Sequence, residues 1–307
     1  MKCLVTGGSG FIGSHLVQYL LKDGHEVIIL DRRKPVVQEV DWIEKDVREN
    51  LDNFLNGIDV IFHLAAVANA RKCGENPQLC FSINVDGTLN VLKSALKSGV
   101  DRVIVASSIW VAGAQQGEIV NEYSPFEISN INTIYGASKV TQELLCYSFH
   151  SEQGGPNYTV LRYGIPYGER MWKGLVVRAF MDMAERAGVI SIMGDGKQSR
   201  PFLYVGDLCR AQLAALKPGA SNKIYNLSGS RMVSVEELAR EVVKHFPAKI
   251  DFIPQARVEP KLKNVSAWLA ETELGWVPEV PLEVGIKQCV DWWNSLDTSQ
   301  KNEEYWC

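Results

Sequence analysis

The chain has 307 residues, of which 46% are hydrophobic and 22% charged, and its formal net charge is −4. This length allows a large core and one or two domains, and the composition is ordinary for a globular protein. The weak acidic balance and the absence of a basic run argue against nucleic acid or an anionic membrane as a partner. No apolar run reaches the 18 residues of a membrane-spanning helix, and the sequence enters an apolar strand at once, so we expect neither a membrane anchor nor a signal peptide.

The seven cysteines are scattered along the chain without a C-x-x-C pair, and the five histidines do not stand near them at ligand spacing. This odd number and wide spacing predict free thiols in a reducing compartment, and therefore a cytoplasmic protein. A metal site is not expected. Cys80 and Cys146 are predicted to be buried, inert core thiols.

The N-terminus predicts a strand, a glycine-rich turn and a helix. Apolar residues Cys3–Val5 precede the sequence TGGSGFIG at 6–13, and apolar residues then recur at helical spacing up to Gly24. Backbone N–H groups at such a turn, together with the positive end of the helix, form a site for a pyrophosphate. Gly7 would permit the tight turn, Gly10 would let the phosphates approach, and Gly13 would let the helix pack closely on the sheet.

A second apolar run, Glu26–Leu30, ends in Asp31, 18 residues after Gly13. A carboxylate at this place can accept hydrogen bonds from the ribose of adenosine, and it would repel the 2′-phosphate of NADP. Arg32 and Arg33 weaken that preference for NAD. The alternative is an ordinary turn in which Asp31 caps a helix; the ordered strand, glycines, helix, second strand and acid favour a dinucleotide site.

Strand and helix patterns continue to alternate up to about residue 164. The further strands are predicted at Trp42–Lys45, Asp59–Leu64, Arg102–Ser107 and Tyr158–Arg162, and the helices at 84–99 and 138–153. Continuous apolar strands joined by long helical crossovers predict an α/β fold with a parallel, doubly wound sheet of the Rossmann type.

Beyond residue 164 the alternation is lost, and glycine and proline become frequent. Helices are predicted over Val176–Ala187 and Val235–His245, the second beginning with the capping signature Ser234-x-x-Glu237. We therefore predict a dinucleotide-binding domain over 1–164, completed by 200–217, and a smaller, mainly substrate-binding α/β part over 165–307.

The sequence YGASK places Tyr135 and Lys139 four residues apart, where they can share one helix face. A lysine ammonium there would lower the tyrosine pKa, and a phenolate can take a proton from an alcohol or return one to a ketone. Ser108 follows a strand whose carboxyl end should border the ligand crevice, so its hydroxyl can bind the same oxygen. Alone, Y-x-x-x-K is as often an exposed helix pair; after a dinucleotide turn it indicates catalysis.

With these motifs the chain resembles the extended short-chain dehydrogenase/reductases, and among them the NAD-dependent nucleotide-sugar epimerase/dehydratase group. The resemblance extends from residue 1 to about Pro278. Its ordered markers are TGGSGFIG at 6–13, DV at 46–47, HLAA at 63–66, INVDGT at 83–88, ASS at 106–108, YGASK at 135–139, LRY at 161–163, GDGKQSR at 194–200, YVGDL at 204–208 and ELGW at 273–276.

The resemblance implies a catalytic role for Ser108, an acid/base role for Tyr135, and a role for Lys139 in binding the nicotinamide ribose of NAD and tuning the tyrosine. Ser108 and two arginines that meet a substrate diphosphate, Arg200 and Arg257, would bind the substrate. The remaining cofactor contacts that it implies are Gly7, Gly10, Phe11, Ile12, Gly13, Asp31, Arg32, Asp46, Val47, Leu64, Ala65, Ala66, Asn84, Ala106 and Tyr163. It also implies a homodimer formed through helices such as 84–98 and 138–153.

The family's 4,6-dehydratases carry an Asp-Glu pair after the catalytic Thr or Ser, where this chain has Ile109 and Trp110, and neither side chain can move a proton. The resemblance therefore predicts an epimerase similar to UDP-glucose 4-epimerase, acting at C4 of a UDP-hexose by hydride removal and return. The alternative is an NAD(P)H-dependent nucleotide 4-keto-sugar reductase; a dehydratase and a non-catalytic dinucleotide sensor are less favoured.

Two departures from the family pattern lie on the substrate side. Ile165 replaces an asparagine, and Ala112 replaces a tyrosine, so a polar contact is lost and space is opened near the sugar. An unusual sugar or a non-nucleotide substrate therefore stays open.

Overall fold

The structure is a computed structural model and describes residues 1–112, 119–254 and 264–302. Arg257, which was predicted to contact the substrate, lies outside these residues. The strands are β1 Lys2–Thr6, β2 Glu26–Asp31, β3 Asp41–Glu44, β4 Val60–His63, β5 Arg102–Ser108, β6 Asn157–Tyr163, β7 Ile165–Tyr167, β8 Val189–Met193, β9 Ser199–Arg200, β10 Phe202–Tyr204, β11 Lys223–Leu227, β12 Val233–Ser234 and β13 Lys249–Ile253. The α-helices are α1 Phe11–Lys22, α2 Ala70–Glu75, α3 Pro77–Phe81, α4 Gly87–Ser98, α5 Ile134–Gln153, α6 Val176–Ala187, α7 Val205–Ala214, α8 Val235–Val243, α9 Leu282–Ser295 and α10 Thr298–Asn302.

The large sheet has seven strands in the order β3-β2-β1-β4-β5-β6-β11, and all neighbouring pairs are parallel. The direction of winding reverses between β1 and β4, so a crevice opens there at the carboxyl ends of the strands. The predicted Rossmann-type α/β fold is confirmed.

Helices cover both faces of this sheet, which explains why its strands are continuously apolar. Val5 and Ile104 face a core shared with α1 and α7. Leu4 and Val103 point to the other side, into a core shared with α4 and α5. Alternate residues of a strand therefore enter different cores, and both sets have to be hydrophobic.

Two helices of the first half begin earlier than predicted. Helix α5 begins at Ile134 because the Thr133 hydroxyl accepts a hydrogen bond from Gly136 N at 2.9 Å, so Tyr135 lies inside the first turn. The chain before α4 is also helical: α3 begins at Pro77 and continues through a π-helical segment, Ser82–Asp86. The spacing of hydrophobic residues did not predict where either helix begins. The cap of α5 is a polar side chain, and the π-helical segment before α4 does not have the regular α-helical period.

The second half contributes to the large sheet as well as to a smaller layer. Strand β11, which was not predicted, extends the sheet beside β6, and α7 packs against α1. The other strands form the pairs β7-β10, β8-β13 and β9-β12. As predicted, Ser234 caps α8, its hydroxyl accepting from Glu237 N at 3.0 Å. Over the described residues no helix is long and apolar enough to cross a bilayer.

Candidate active site

The turn after β1 forms a backbone cradle at the start of α1. Gly7 has a φ of +71°, and a Cβ at this residue would lie 2.7 Å from Ala65 N. A Cβ on Gly13 would lie only 2.2 Å from the Gly7 carbonyl oxygen. Gly10 caps α1 without a side-chain hydrogen bond, which leaves the first N–H groups of the helix for an anionic ligand. The cradle fits the pyrophosphate of a dinucleotide.

Asp31 ends β2 next to this cradle. Its two carboxylate oxygens each accept one backbone hydrogen bond at 3.0 Å, from Ser9 N and Arg33 N. Each oxygen retains a lone pair, so the carboxylate can also accept hydrogen bonds from ribose hydroxyls. Arg32 lies 3.7 Å from Asp46, whose pKa is held below its usual value mainly by a hydrogen bond from Arg48. Arg32, Asp46 and Arg48 line an open polar groove, where we expect the adenosine to bind.

The segment after β4 is held against α5 by Asn84, which is fully buried in the π-helical segment. Its amide oxygen accepts from Val67 N at 2.8 Å, and its amide nitrogen donates to Val67 O at 3.2 Å and to the Ser138 hydroxyl at 2.9 Å. Leu64–Ala66, the predicted cofactor lining, lead into Val67. Asn84 thus connects this lining to the helix that carries Tyr135.

Ser108, Tyr135 and Lys139 converge at the carboxyl end of β5. The Ser108 hydroxyl lies close enough to the Tyr135 hydroxyl to lower its pKa. The Lys139 ammonium lies 5.9 Å from the centre of the Tyr135 ring and donates to Ala106 O at 2.8 Å. Ser108 pairs in register with Tyr163 of β6, so that tyrosine borders the same place. The structure brings together the three residues that the motifs singled out.

The ionisation of Tyr135 differs from the sequence prediction. Burial raises the pKa of Tyr135 to about 12, although the nearby Ser108 hydroxyl acts in the opposite direction. Burial also lowers the pKa of Lys139 to about 8. The predicted lowering of the tyrosine pKa is therefore wrong for the protein without ligand, because loss of hydration disfavours the phenolate more than its neighbours favour it.

A buried ion pair that the motifs did not reveal supports these residues. Arg162 of β6 donates to both carboxylate oxygens of Glu143 in α5, with the closest contact at 2.6 Å. Ser107 of β5 donates to the same carboxylate at 2.5 Å. The pair therefore joins the three elements that carry Ser108, Tyr135 and Tyr163. The sequence motifs did not single out Glu143, although it stands four residues after Lys139.

The substrate side next to Ser108 is apolar. Trp110, Ala112 and Ile165 are half-buried and pack against Ile109, Val120 and Val265. The Trp110 backbone N–H donates to the Ser108 hydroxyl at 3.3 Å, which places this wall beside Ser108. Arg200 lies next to Pro201, whose carbonyl accepts from Ile165 N at 3.2 Å, so the strand that carries it borders the same wall.

Residues 3–228 match the model of the NAD dependent epimerase/dehydratase family. A protein of Methanocaldococcus jannaschii, named a candidate UDP-glucose 4-epimerase, is 35% identical over 308 residues, which cover 94% of this chain and 97% of that protein. UDP-N-acetyl-alpha-D-glucosaminuronate decarboxylase of Bacillus cytotoxicus is 30% identical, over 96% and 98% of the two chains. The crystal structure of Thermotoga maritima UDP-glucose 4-epimerase with UDP-glucose has a TM-score of 0.87 and 28% identity, and the match covers 96% of this chain and 99% of that one.

Proposed function

This chain belongs to the NAD-dependent epimerase/dehydratase family of short-chain dehydrogenase/reductases, whose cofactor is NAD, and on that premise we propose that it is an epimerase acting at C4 of a UDP-hexose. The observation that carries the proposal is the convergence of Ser108, Tyr135 and Lys139 at the carboxyl end of β5, with no proton-carrying side chain at Ile109 or Trp110. Such a site can move one proton on one oxygen, which is all that epimerisation through a ketone requires.

Each of the three residues has a distinct task in this reaction. NAD, held by the backbone cradle at residues 7–13, would supply the acceptor and donor of the hydride at the sugar carbon. Tyr135 accepts the proton of the C4 hydroxyl and gives it back to the ketone oxygen from either face. Ser108, whose hydroxyl lies close to the phenol, binds and orients the same substrate oxygen. Lys139 stabilises negative charge on the phenol from beneath the ring and holds the nicotinamide ribose.

Dehydration requires side chains that transfer protons, and the two residues after Ser108 cannot do so. Elimination of water needs one group that removes a carbon-bound proton and another that protonates the departing hydroxyl. Ile109 is buried and purely apolar, and the Trp110 indole can only donate. Tyr135 would then have to do all the proton transfers, which supports an epimerase over a dehydratase.

Several relatives are decarboxylases of UDP-uronic acids, so the charge of the sugar has to be considered. The wall formed by Trp110, Ala112 and Ile165 offers no cation to a uronate carboxylate. Burying that carboxylate without a partner would cost several kcal/mol, whereas a hydroxymethyl group would lose much less. This apolar wall supports a neutral hexose as the substrate.

Proton NMR of the purified protein with UDP-glucose, UDP-N-acetylglucosamine, UDP-glucuronate and catalytic NAD tests the proposal. We expect a second UDP-hexose to accumulate to a steady ratio without net formation of NADH, and no reaction with Tyr135→Phe. Release of carbon dioxide from UDP-glucuronate would instead identify a decarboxylase. Stoichiometric oxidation of NAD(P)H with a 4-keto-sugar would identify the reductase.

The proposal includes an oligomeric state and a cellular compartment. The solvent-facing sides of α4 and α5 carry Leu96, Leu144 and Tyr147, all exposed, and such an apolar surface supports a homodimer formed by these helices. The six cysteines of the described residues are free thiols, which supports the cytoplasm as its compartment.

A further inference from the structure

Cys73 and Cys80 form a buried thiol pair outside the catalytic site. Cys73 lies in α2 and Cys80 in α3, and their sulfur atoms are only 2.8 Å apart. Both side chains are fully buried, whereas every other residue over 71–80 is exposed. The burial of Cys80 was expected, whereas its contact with a second thiol was not.

The turn between the two helices explains why residues seven positions apart meet. The Asn76 N–H donates to Lys72 O at 2.9 Å and ends α2, while its side chain accepts from Leu79 N at 3.0 Å and begins α3. The short helix α3 therefore folds back over α2 at once. This arrangement, rather than packing in a large core, brings the sulfur of Cys80 onto that of Cys73.

We propose that Cys73 and Cys80 are a dithiol modification site, which two-electron oxidants of the disulfide or diazene class convert reversibly into a disulfide. Two S–H bonds break and one S–S bond forms; the two protons and two electrons pass to the oxidant, reducing its S–S bond to two thiols or its N=N bond to a hydrazine. The sulfur atoms need to approach by less than 1 Å, because a disulfide bond is about 2.05 Å long.

The surroundings decide which oxidants can reach the pair. Burial raises the pKa of the Cys73 thiol, so little thiolate exists at neutral pH and reaction is slow. The cover is thin, however, because α2 and α3 have only six and five residues and their outer side chains are exposed. A local opening of this kind costs far less than global unfolding. Small oxidants are therefore expected to react before large ones.

The pair touches the framework of the active site without lining it. The Cys80 sulfur lies 3.5 Å from the Asn84 amide nitrogen and 3.7 Å from the Ser138 hydroxyl, which itself donates to Tyr135 O at 2.8 Å. The Cys73 S–H donates to Val67 O at 3.4 Å. Asn84 and Ser138 bond each other without using either sulfur atom, so we expect the fold to accommodate the modification.

The test uses the full-length holoenzyme carrying Cys307→Ser, which removes the terminal thiol as a source of cross-linking between molecules. The native protein is treated with diamide, denatured with an alkylating agent and digested with trypsin without reduction. Both cysteines fall in one peptide, residues 73–93, since cleavage follows Lys72 and Lys93. We expect this peptide to be unalkylated and lighter by two hydrogen atoms, and to take two alkyl groups after prior treatment with dithiothreitol.

Matched variants separate the pair from the other buried thiols. Cys80→Ser and, independently, Cys73→Ser should leave the remaining thiol of peptide 73–93 alkylated after diamide. Cys209→Ser, which removes an equally buried thiol in α7, should leave the disulfide unchanged. Full alkylation of both cysteines in the oxidised Cys307→Ser protein would overturn the proposal, and so would pairing of either with a different cysteine; neither result depends on the folding of the other variants or on epimerase activity.

Discussion

Tyr135 and Lys139 lie four residues apart in α5, and Lys139 is only 3% exposed. Their pKa values have moved apart, to about 12 for the tyrosine and about 8 for the lysine, because burial disfavours both charged forms. At neutral pH the ligand-free protein therefore holds a neutral phenol near an ammonium. This is the state from which Tyr135 can donate to a ketone, while accepting a proton needs further stabilisation of the phenolate by bound ligands.

The proposed catalytic role of the Tyr135 hydroxyl can be tested by replacing this residue with phenylalanine. Tyr135→Phe keeps the ring and loses the hydroxyl next to Ser108, so we expect kcat to fall by roughly 10²–10⁴-fold. Binding of NAD, measured by calorimetry, should change little because no backbone group of the cradle is altered. Tyr123→Phe, at a position that is 80% exposed, is the matched control and should keep full turnover. Unchanged turnover in Tyr135→Phe would contradict the mechanism.

The shifted pKa of Lys139 predicts a pH dependence of stability. Its folded value of about 8 lies below the ordinary 10.5, so between these values the unfolded chain binds a proton that the folded protein lacks. The free energy of unfolding therefore rises with pH in this window, and below about pH 8 the penalty for burying the ammonium is fully present. We expect wild type to gain about 1 kcal/mol per pH unit relative to Lys139→Met between about pH 8 and pH 10.

Urea unfolding of both proteins at about pH 7 and about pH 9.5 measures this difference. Comparing two proteins cancels the contribution of the buried cysteines, whose pKa values are raised and which titrate in the same range. A difference in unfolding free energy that stays constant with pH would show that the ammonium of Lys139 remains hydrated in the folded protein.

At the scale of secondary-structure elements, the cradle depends on how closely α1 approaches β1. A Cβ on Gly13 would lie 2.2 Å from Gly7 O, and this neighbour is backbone that cannot rotate away. We expect Gly13→Ala to shift α1, to weaken NAD binding at least tenfold and to lower the melting temperature. Gly74→Ala places a Cβ in open space on α2 and should leave both quantities within error of wild type. Tight NAD binding by Gly13→Ala would mean that the turn is more adaptable than its contacts indicate.

The ion pair between Glu143 and Arg162 joins α5 to β6, and both side chains are almost completely buried. Arg162→Met leaves the carboxylate buried and unpaired, so we expect a loss of about 3 to 5 kcal/mol in the free energy of unfolding. The double variant Arg162→Met, Glu143→Leu should lose less, because no charge is left behind. Lys287→Met, which breaks an exposed pair with Asp291, should cost under about 1 kcal/mol. A double variant no more stable than Arg162→Met would contradict this account.

At the scale of the whole molecule, one face of the first half presents apolar side chains to solvent. Leu144 and Tyr147 of α5 are 51% and 62% exposed, although they stand on the longest helix of the described residues. We expect light scattering to give twice the mass of one chain, and Tyr147→Glu to shift the population toward the monomer. Ile128→Glu, at a site that is 90% exposed elsewhere, should leave the mass unchanged. A wild-type protein that is monomeric throughout a dilution series would refute the homodimer.

The sequence by itself determined the features that follow local rules. The glycine turn, the alternation of apolar strands with helices and the spacing of Tyr135 and Lys139 are written in short stretches of chain, because backbone conformation and side-chain direction repeat over a few residues. The Rossmann-type sheet could therefore be predicted, as could the positions of its first six strands and of Ser108, Tyr135 and Lys139. The Ser234 cap was predicted for the same reason.

Only the tertiary structure decided the features that depend on contacts between distant segments. Strand β11 joins the sheet beside β6 although about sixty residues separate them. Glu143 forms an ion pair with Arg162, and Cys80 contacts Cys73 across a turn. Trp110 packs in the same apolar wall as Ile165. The direction of the Tyr135 pKa shift is of this kind too, because a motif specifies which groups are near, whereas hydration is set by everything that packs around them.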